Sequence, residues 1–72
     1  MGREVDFIVL KDRKPWLLVE VKLSETSVDS NLQYFCNRLN VPGIQVINRQ
    51  NYIKEHGSIT VVSADRWLAN LP

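Results

Sequence analysis

A chain of 72 residues, 44% hydrophobic, with a formal net charge of +1, has room for one small globular domain and no second. The near-neutral balance does not argue for a sustained basic surface for non-specific nucleic-acid binding, and it is neutral on nucleic acid in general, because Lys and Arg can cluster locally. No apolar run has membrane-spanning length, no secretory leader is recognisable, and the lone cysteine, Cys36, excludes an intrachain disulfide, so a cytoplasmic protein without membrane contact is expected.

Residues 3–10 and 16–23 are rich in β-branched and aromatic side chains and flank a polar segment, 11–15, which reads as an antiparallel hairpin. With the turn centred on Arg13, paired positions sum to 26, so Asp6 faces Glu20 and Glu4 faces Lys22. The period of two divides the hairpin into an apolar face (Val5, Phe7, Val9, Leu17, Val19, Val21, Leu23) and a mixed one. The mixed face is apolar near the turn (Ile8, Leu10, Trp16, Leu18) and ionic at the open end (Glu4, Asp6, Glu20, Lys22).

After the hairpin, Thr26 or Ser27 is the expected N-cap of a helix, with Asp29 favouring its positive end. Val28, Leu32, Phe35, Cys36 and Leu39 form one apolar stripe, expected to lie on the apolar face of the hairpin, and Asn40-Val41-Pro42-Gly43 ends the helix. Residues 43–47 and 59–63 read as two short strands separated by a polar surface loop, 48–58. Ser63 is the expected cap of a short last helix with Trp67, Leu68 and Leu71 inward. The order strand-strand-helix-strand-strand-helix implies an α/β (α+β) fold around a small mixed sheet, its third strand parallel to the second.

Two carboxylates opposed on neighbouring strands repel by about 0.2 to 1 kcal/mol, so Asp6 and Glu20 call for compensation that a divalent cation would supply. Mg²⁺ (or Mn²⁺) suits two carboxylates because it keeps several waters, leaving a place for a substrate phosphate. Lys22, two residues beyond Glu20 on the same face, could orient the attacking water or steady negative charge on phosphorus. The bland reading is a cross-strand ion-pair network of Glu4, Asp6, Glu20 and Lys22 with no role beyond solvation.

One Asp on a first strand, Glu-x-Lys on the next and then a helix resembles the PD-(D/E)xK nuclease-like superfamily. Glu4-Val5-Asp6-Phe7, Val19-Glu20-Val21-Lys22 and the closing Ser63-Ala64-Asp65-Arg66-Trp67-Leu68 are similar to the C-terminal domain, of unassigned function, of a large family of prokaryotic AAA-type ATPases. The resemblance spans nearly the whole chain. It implies a restriction-endonuclease-like core lacking its first helix, catalytic Asp6, Glu20 and Lys22, and metal ligation by Asp6, Glu20 and the backbone carbonyl of Val21. Glu4 and Gln33 are implied as accessory residues, Gln33 by likeness to RecB-type nucleases, from which the chain departs with Asn37 where an aromatic is expected. It further implies nucleic acid as partner, an upstream ATPase domain, and residues 1–72 as the C-terminal part of a larger protein with Met1-Gly2 an introduced start.

Three functions compete at this stage: a metal-dependent nuclease-like domain, a non-catalytic nucleic-acid-binding or dimerisation module of the ATPase, and a small structural fragment. Since a core of this size supplies only ~3 to 5 kcal/mol, a homodimer is also expected to add stability. His56 has no second ligand at metal spacing, Cys36 falls on the apolar helix stripe, and Trp16 and Trp67 read as packing residues with Trp16 also placed for base stacking. The three glycines are scattered, so the chain carries no phosphate-cradling loop and is not expected to bind ATP.

Overall fold

The computed structural model describes residues 5–69. Five strands form one mixed sheet: β1 (Phe7–Lys11), β2 (Lys14–Lys22), β3 (Gly43–Ile47), β4 (Ile53–His56) and β5 (Ile59–Ser63), in the order β1-β2-β3-β5-β4. Two helices complete it, α1 (Ser30–Leu39) between β2 and β3, and α2 (Ala64–Ala69) after β5. The expected mixed α+β architecture holds, with β3 parallel to β2 and β5 parallel to β3.

The hairpin register is the expected one over its outer half, Phe7 facing Val19, Ile8 facing Leu18 and Val9 facing Leu17. Nearer the turn it shifts by one, Leu10 pairing with Pro15 and Lys11 with Lys14, so Trp16 bulges out without a partner on β1. The shift follows from the turn. Asp12 and Arg13 both have positive φ (53° and 67°), the two-residue left-handed turn whose twist matches that of the strands, and such a turn cannot centre on one residue.

The expected loop 48–58 is partly a strand. β4 pairs antiparallel with β5 from Ile53 facing Val62 to His56 facing Ile59, around a tight turn in which Gly57 has φ of 62°. With Ile53 the sole apolar residue, β4 shows no hydrophobic alternation, because as an exposed edge it packs neither face; the Gly57-Ser58 pair was the legible sign. The element order therefore has one strand more than the sequence suggests.

Helix α1 covers the face opposite to the one expected. Leu32 and Cys36 pack on Leu18 and Ile59, with Val5, Val28, Phe35 and Val41 around them. Leu18 belongs to the mixed face of the hairpin, whereas Val19, on the apolar face, joins Val46 and Val62 beneath Trp67 of α2. Close approach of α1 to the sheet depends on Gly43, where a Cβ would lie 2.5 Å from the Cys36 sulfur and 3.2 Å from Leu32 Cδ1. Asn40 closes the helix in the left-handed conformation (φ 56°), as the stop pattern implied.

At α2, Trp67 packs inward as expected, but Leu68 is 62% exposed, and Leu71 lies outside the described residues. The hydroxyl of Ser63 is buried and engages Tyr52, accepting from its N–H (2.9 Å), with its single proton shared between the Tyr52 carbonyl (3.2 Å) and the Asp65 carboxylate, so it ties α2 to the loop before β4. Asp65 adds to that tie, accepting from Asn51 N–H at 3.1 Å. A hydrogen bond from Ser63, followed by the one from Asn51, holds its carboxyl below the usual Asp value.

Candidate ionic site at the sheet rim

The site starts from the alternation of β2. Leu18, Glu20 and Lys22 share the face under α1; Leu18 is fully buried, Glu20 is 8% exposed, and Lys22 at the strand end is half-buried. The chain bends at Asp6 and β1 begins at Phe7, whereas a first strand is expected over residues 3–10. That bend turns Val5 into the α1 core and leaves Asp6 exposed at the rim.

Asp6 and Glu20 are brought together through each other's backbone neighbourhood. The Asp6 N–H donates to Glu20 Oε1 (3.2 Å), and Asp6 Oδ2 accepts from the Val21 N–H (2.8 Å). Because Leu18 N–H points to the Pro42 carbonyl, just before β3 (3.1 Å), alternation turns the peptide groups of residues 17, 19 and 21 of β2 toward β1; the Val21 carbonyl thus looks to the Asp6 side, like its N–H. Lys22 Nζ stands 3.7 Å from Glu20 Oε2.

Asp29 was missed as a member of this cluster. It, and not Thr26 or Ser27, is the N-cap: its Oδ2 accepts from Asn31 N–H (3.0 Å) and Leu32 N–H (3.1 Å). Its Oδ1 binds Lys22 Nζ at 3.1 Å, a closer pairing than that with Glu20. Gln45, opposite Glu20 on β3 and fully buried, fixes this arrangement. Its amide donates to the carbonyls of Glu25 (3.0 Å) and Ser27 (2.9 Å), while its oxygen accepts from Asp29 N–H (2.8 Å). A glutamine alternating with Ile44 and Val46 in an otherwise apolar strand was the available hint, since a buried amide implies partners.

Electrostatics separate the acids. Burial, then the Asp6 carboxylate, pushes the Glu20 carboxyl above its usual value, against the Asp6 N–H bond and Lys22. Burial also acts upward on Asp29, but the Leu32 N–H and Lys22 outweigh it and hold that carboxyl low. Bonding to Asp29 raises the Lys22 ammonium above the usual lysine range, so Lys22 is a fixed positive charge at neutral pH and no base.

Of the remaining expected members, Glu4 lies outside the described residues. Gln33 is exposed on α1 with its backbone N–H on the Asp29 carbonyl (3.0 Å), and among the described residues its side chain makes no hydrogen bond to Asp6, Glu20 or Lys22. Cys36 is buried and burial raises its thiol, consistent with a core role; His56 is exposed at the end of β4.

Among the described residues no group of three or more His, Cys, Asp or Glu side chains is arranged to hold a metal ion. What the rim offers is a pair of carboxylates and a carbonyl, a donor set that suits a hard, water-retaining cation and no thiophilic one. Among the described residues no helix is long and apolar enough to cross a membrane. Compared with family models, curated proteins and solved structures, the chain matches none of them.

Proposed function

We propose that this chain is a metal-dependent nuclease-like domain of the PD-(D/E)xK type, appended to an AAA-type ATPase and hydrolysing phosphodiesters of nucleic acid. The observation that carries the reading is the meeting of Asp6, Glu20 and Lys22 at one rim of the sheet, with the Val21 peptide turned toward Asp6. A hairpin followed by a helix and a parallel strand supports the restriction-endonuclease-like core in its shortened form.

In this reading Asp6, Glu20 and the Val21 carbonyl would hold Mg²⁺ or Mn²⁺. Such a cation, when bound, would supply a water of lowered pKa and screen charge on a phosphate. Glu20 must shed its proton to serve, so cation affinity rises with pH through its elevated pKa. Lys22 donates hydrogen bonds to a non-bridging phosphate oxygen, for which its ammonium releases Asp29.

A second reading, a non-catalytic binding module of the ATPase, is favoured by one specific feature: the acids already have partners. Asp6 Oδ2 is taken by Val21 N–H, Glu20 Oε1 by Asp6 N–H, and Lys22 by Asp29. Incubation of single- and double-stranded DNA and RNA with Mn²⁺ separates the two. Cleavage by the wild type that Lys22→Ala loses is expected, and equal background from both proteins removes the nuclease. Metal binding is checked apart from turnover, by melting: Mn²⁺ should raise the Tm of the wild type and not of Glu20→Gln. Identical curves with Mn²⁺ and with chelator would remove the cation as well.

A further inference from the structure

The two edges of the sheet are built differently. β4 carries Lys54, Glu55 and His56 after Ile53, a charged edge of the kind that discourages strand pairing. β1 carries Phe7, Ile8, Val9 and Leu10 in succession, all exposed, with Lys11 its sole charge. On the α2 face, Phe7, Val9, Val19 and Trp67 also border an apolar hollow of about 450 Å³.

The direction of the β1 peptide groups follows from β2. Residues 17, 19 and 21 of β2 turn toward β1, so Phe7 and Val9, which face Val19 and Leu17, bond inward. The N–H and C=O groups of Ile8 and Leu10 therefore point to the open edge, where the described residues contain no further strand. Such a row is a template for another strand.

We propose that two copies of this chain join edge to edge through β1, antiparallel, about a two-fold axis normal to the sheet that passes between the two Val9 residues. A normal two-fold keeps matching faces together, so paired positions must sum to an even number, and two registers overlap the strand well. Centring on Ile8 calls on the peptide N–H of Asp6, which is committed to Glu20 and lies beyond a bend. Centring on Val9 instead exchanges hydrogen bonds between Ile8 and the partner's Leu10, and between Leu10 and the partner's Ile8, using the outward groups of the strand completely.

The side chains agree with that register. Ile8 meets the partner's Leu10 on one face; on the other Val9 meets its counterpart and Phe7 meets the partner's Lys11, an ammonium beside an aromatic ring. Lys11 already approaches a ring in its own chain, lying 5.6 Å from the centre of Trp16. The turn of the second copy comes to rest near Asp6, its Asp12 and Arg13 bringing one charge of each sign, and a net charge of +1 per chain opposes association little. Self-pairing of this kind accounts for an apolar edge that β4 is built to avoid.

Sedimentation equilibrium over a dilution series tests the proposal. The wild type should approach twice the 8.3 kDa chain mass at the upper concentrations. Leu10→Pro removes an N–H that the chain's own sheet does not use, so it should keep the far-ultraviolet spectrum and sediment as a monomer. Phe7→Lys sets lysines opposite Lys11 and should raise the dimer Kd by about a hundredfold; adding Lys11→Glu should restore it. A monomeric wild type overturns the proposal, and so does a dimer that folded Leu10→Pro leaves intact. Should Leu10→Pro fail to fold, the charge pair decides: Phe7→Lys dimerising like wild type, or no recovery with Lys11→Glu, overturns it.

Discussion

The two faces of the β1–β2 hairpin are finished to different degrees. Under α1, even the polar residues are enclosed and partnered: Glu20 and Gln45 are buried, and Gln45 uses both ends of its amide. On the α2 side, Phe7 (60% exposed), Val21 (51%) and Leu23 (82%) stand bare, because a six-residue helix covers the centre of that face, over Val19, Val46 and Val62, and not its ends. The enclosure under α1 is confined to the centre of the sheet, since Ile8 and Leu10 on the same face are exposed. The candidate chemistry lies on the enclosed face, whereas pairing with a second copy is proposed at the β1 edge, which borders both faces.

The largest expected effect comes from removing the amide that organises the enclosed face. Gln45→Leu leaves the Asp29 N–H and the Glu25 and Ser27 carbonyls without their partner and should cost about 2 to 3 kcal/mol in urea unfolding. A loss under about 0.5 kcal/mol, the usual range for surface changes, would mean that the 24–29 segment does not depend on it.

Next come opposite pH responses of two acids on that face. Asp29 is held low, so its stabilisation is present above the unfolded pKa near 3.8 and drains away as pH falls through the folded value. Asp29→Asn keeps a capping oxygen but loses the ion pair, so its melting temperature should fall below wild type at neutral pH and converge with it in acid. Glu20 is held high, so its ionisation destabilises the fold as pH rises from about 4.5 through the folded value. Glu20→Gln should be more stable than wild type at pH 7, by up to about 1 kcal/mol, and lose that advantage below pH 4. Parallel pH curves for both variants would break the contrast.

The smallest effect belongs to the bare face. Val21→Thr keeps the β-branched shape with its side chain half in water, and should change stability by less than about 0.5 kcal/mol. A core-sized loss there would show that this face is covered in the folded state.

Much of this contrast was legible in the residues, and the misses have physical causes. The sum-of-26 register was readable from Phe7 to Val9 because hydrophobic alternation fixes pairing wherever one face is buried, and it failed at the turn, where backbone handedness dictates two residues. Asp6, Glu20 and Lys22 were readable as neighbours for the same reason. Asp29 was not, because its nearness to Lys22 arises from a loop whose path is set by Gln45 on another strand. The face chosen by α1 was not legible either: both faces of the hairpin offer Leu or Val near the turn, and an amphipathic stripe records that it will be buried without recording against what.

By itself the sequence determined the two-fold and near four-fold periodicities, hence the strands of the hairpin, the helix, and the ionic end of β2, since these follow from local geometry acting on side-chain type. Only the tertiary structure decided which face α1 covers, that β4 joins the sheet, and that Lys22 belongs to Asp29 more closely than to Glu20. Those outcomes depend on contacts between segments far apart in the chain, where the free energy of bringing them together is set by the whole packing and by no window of residues.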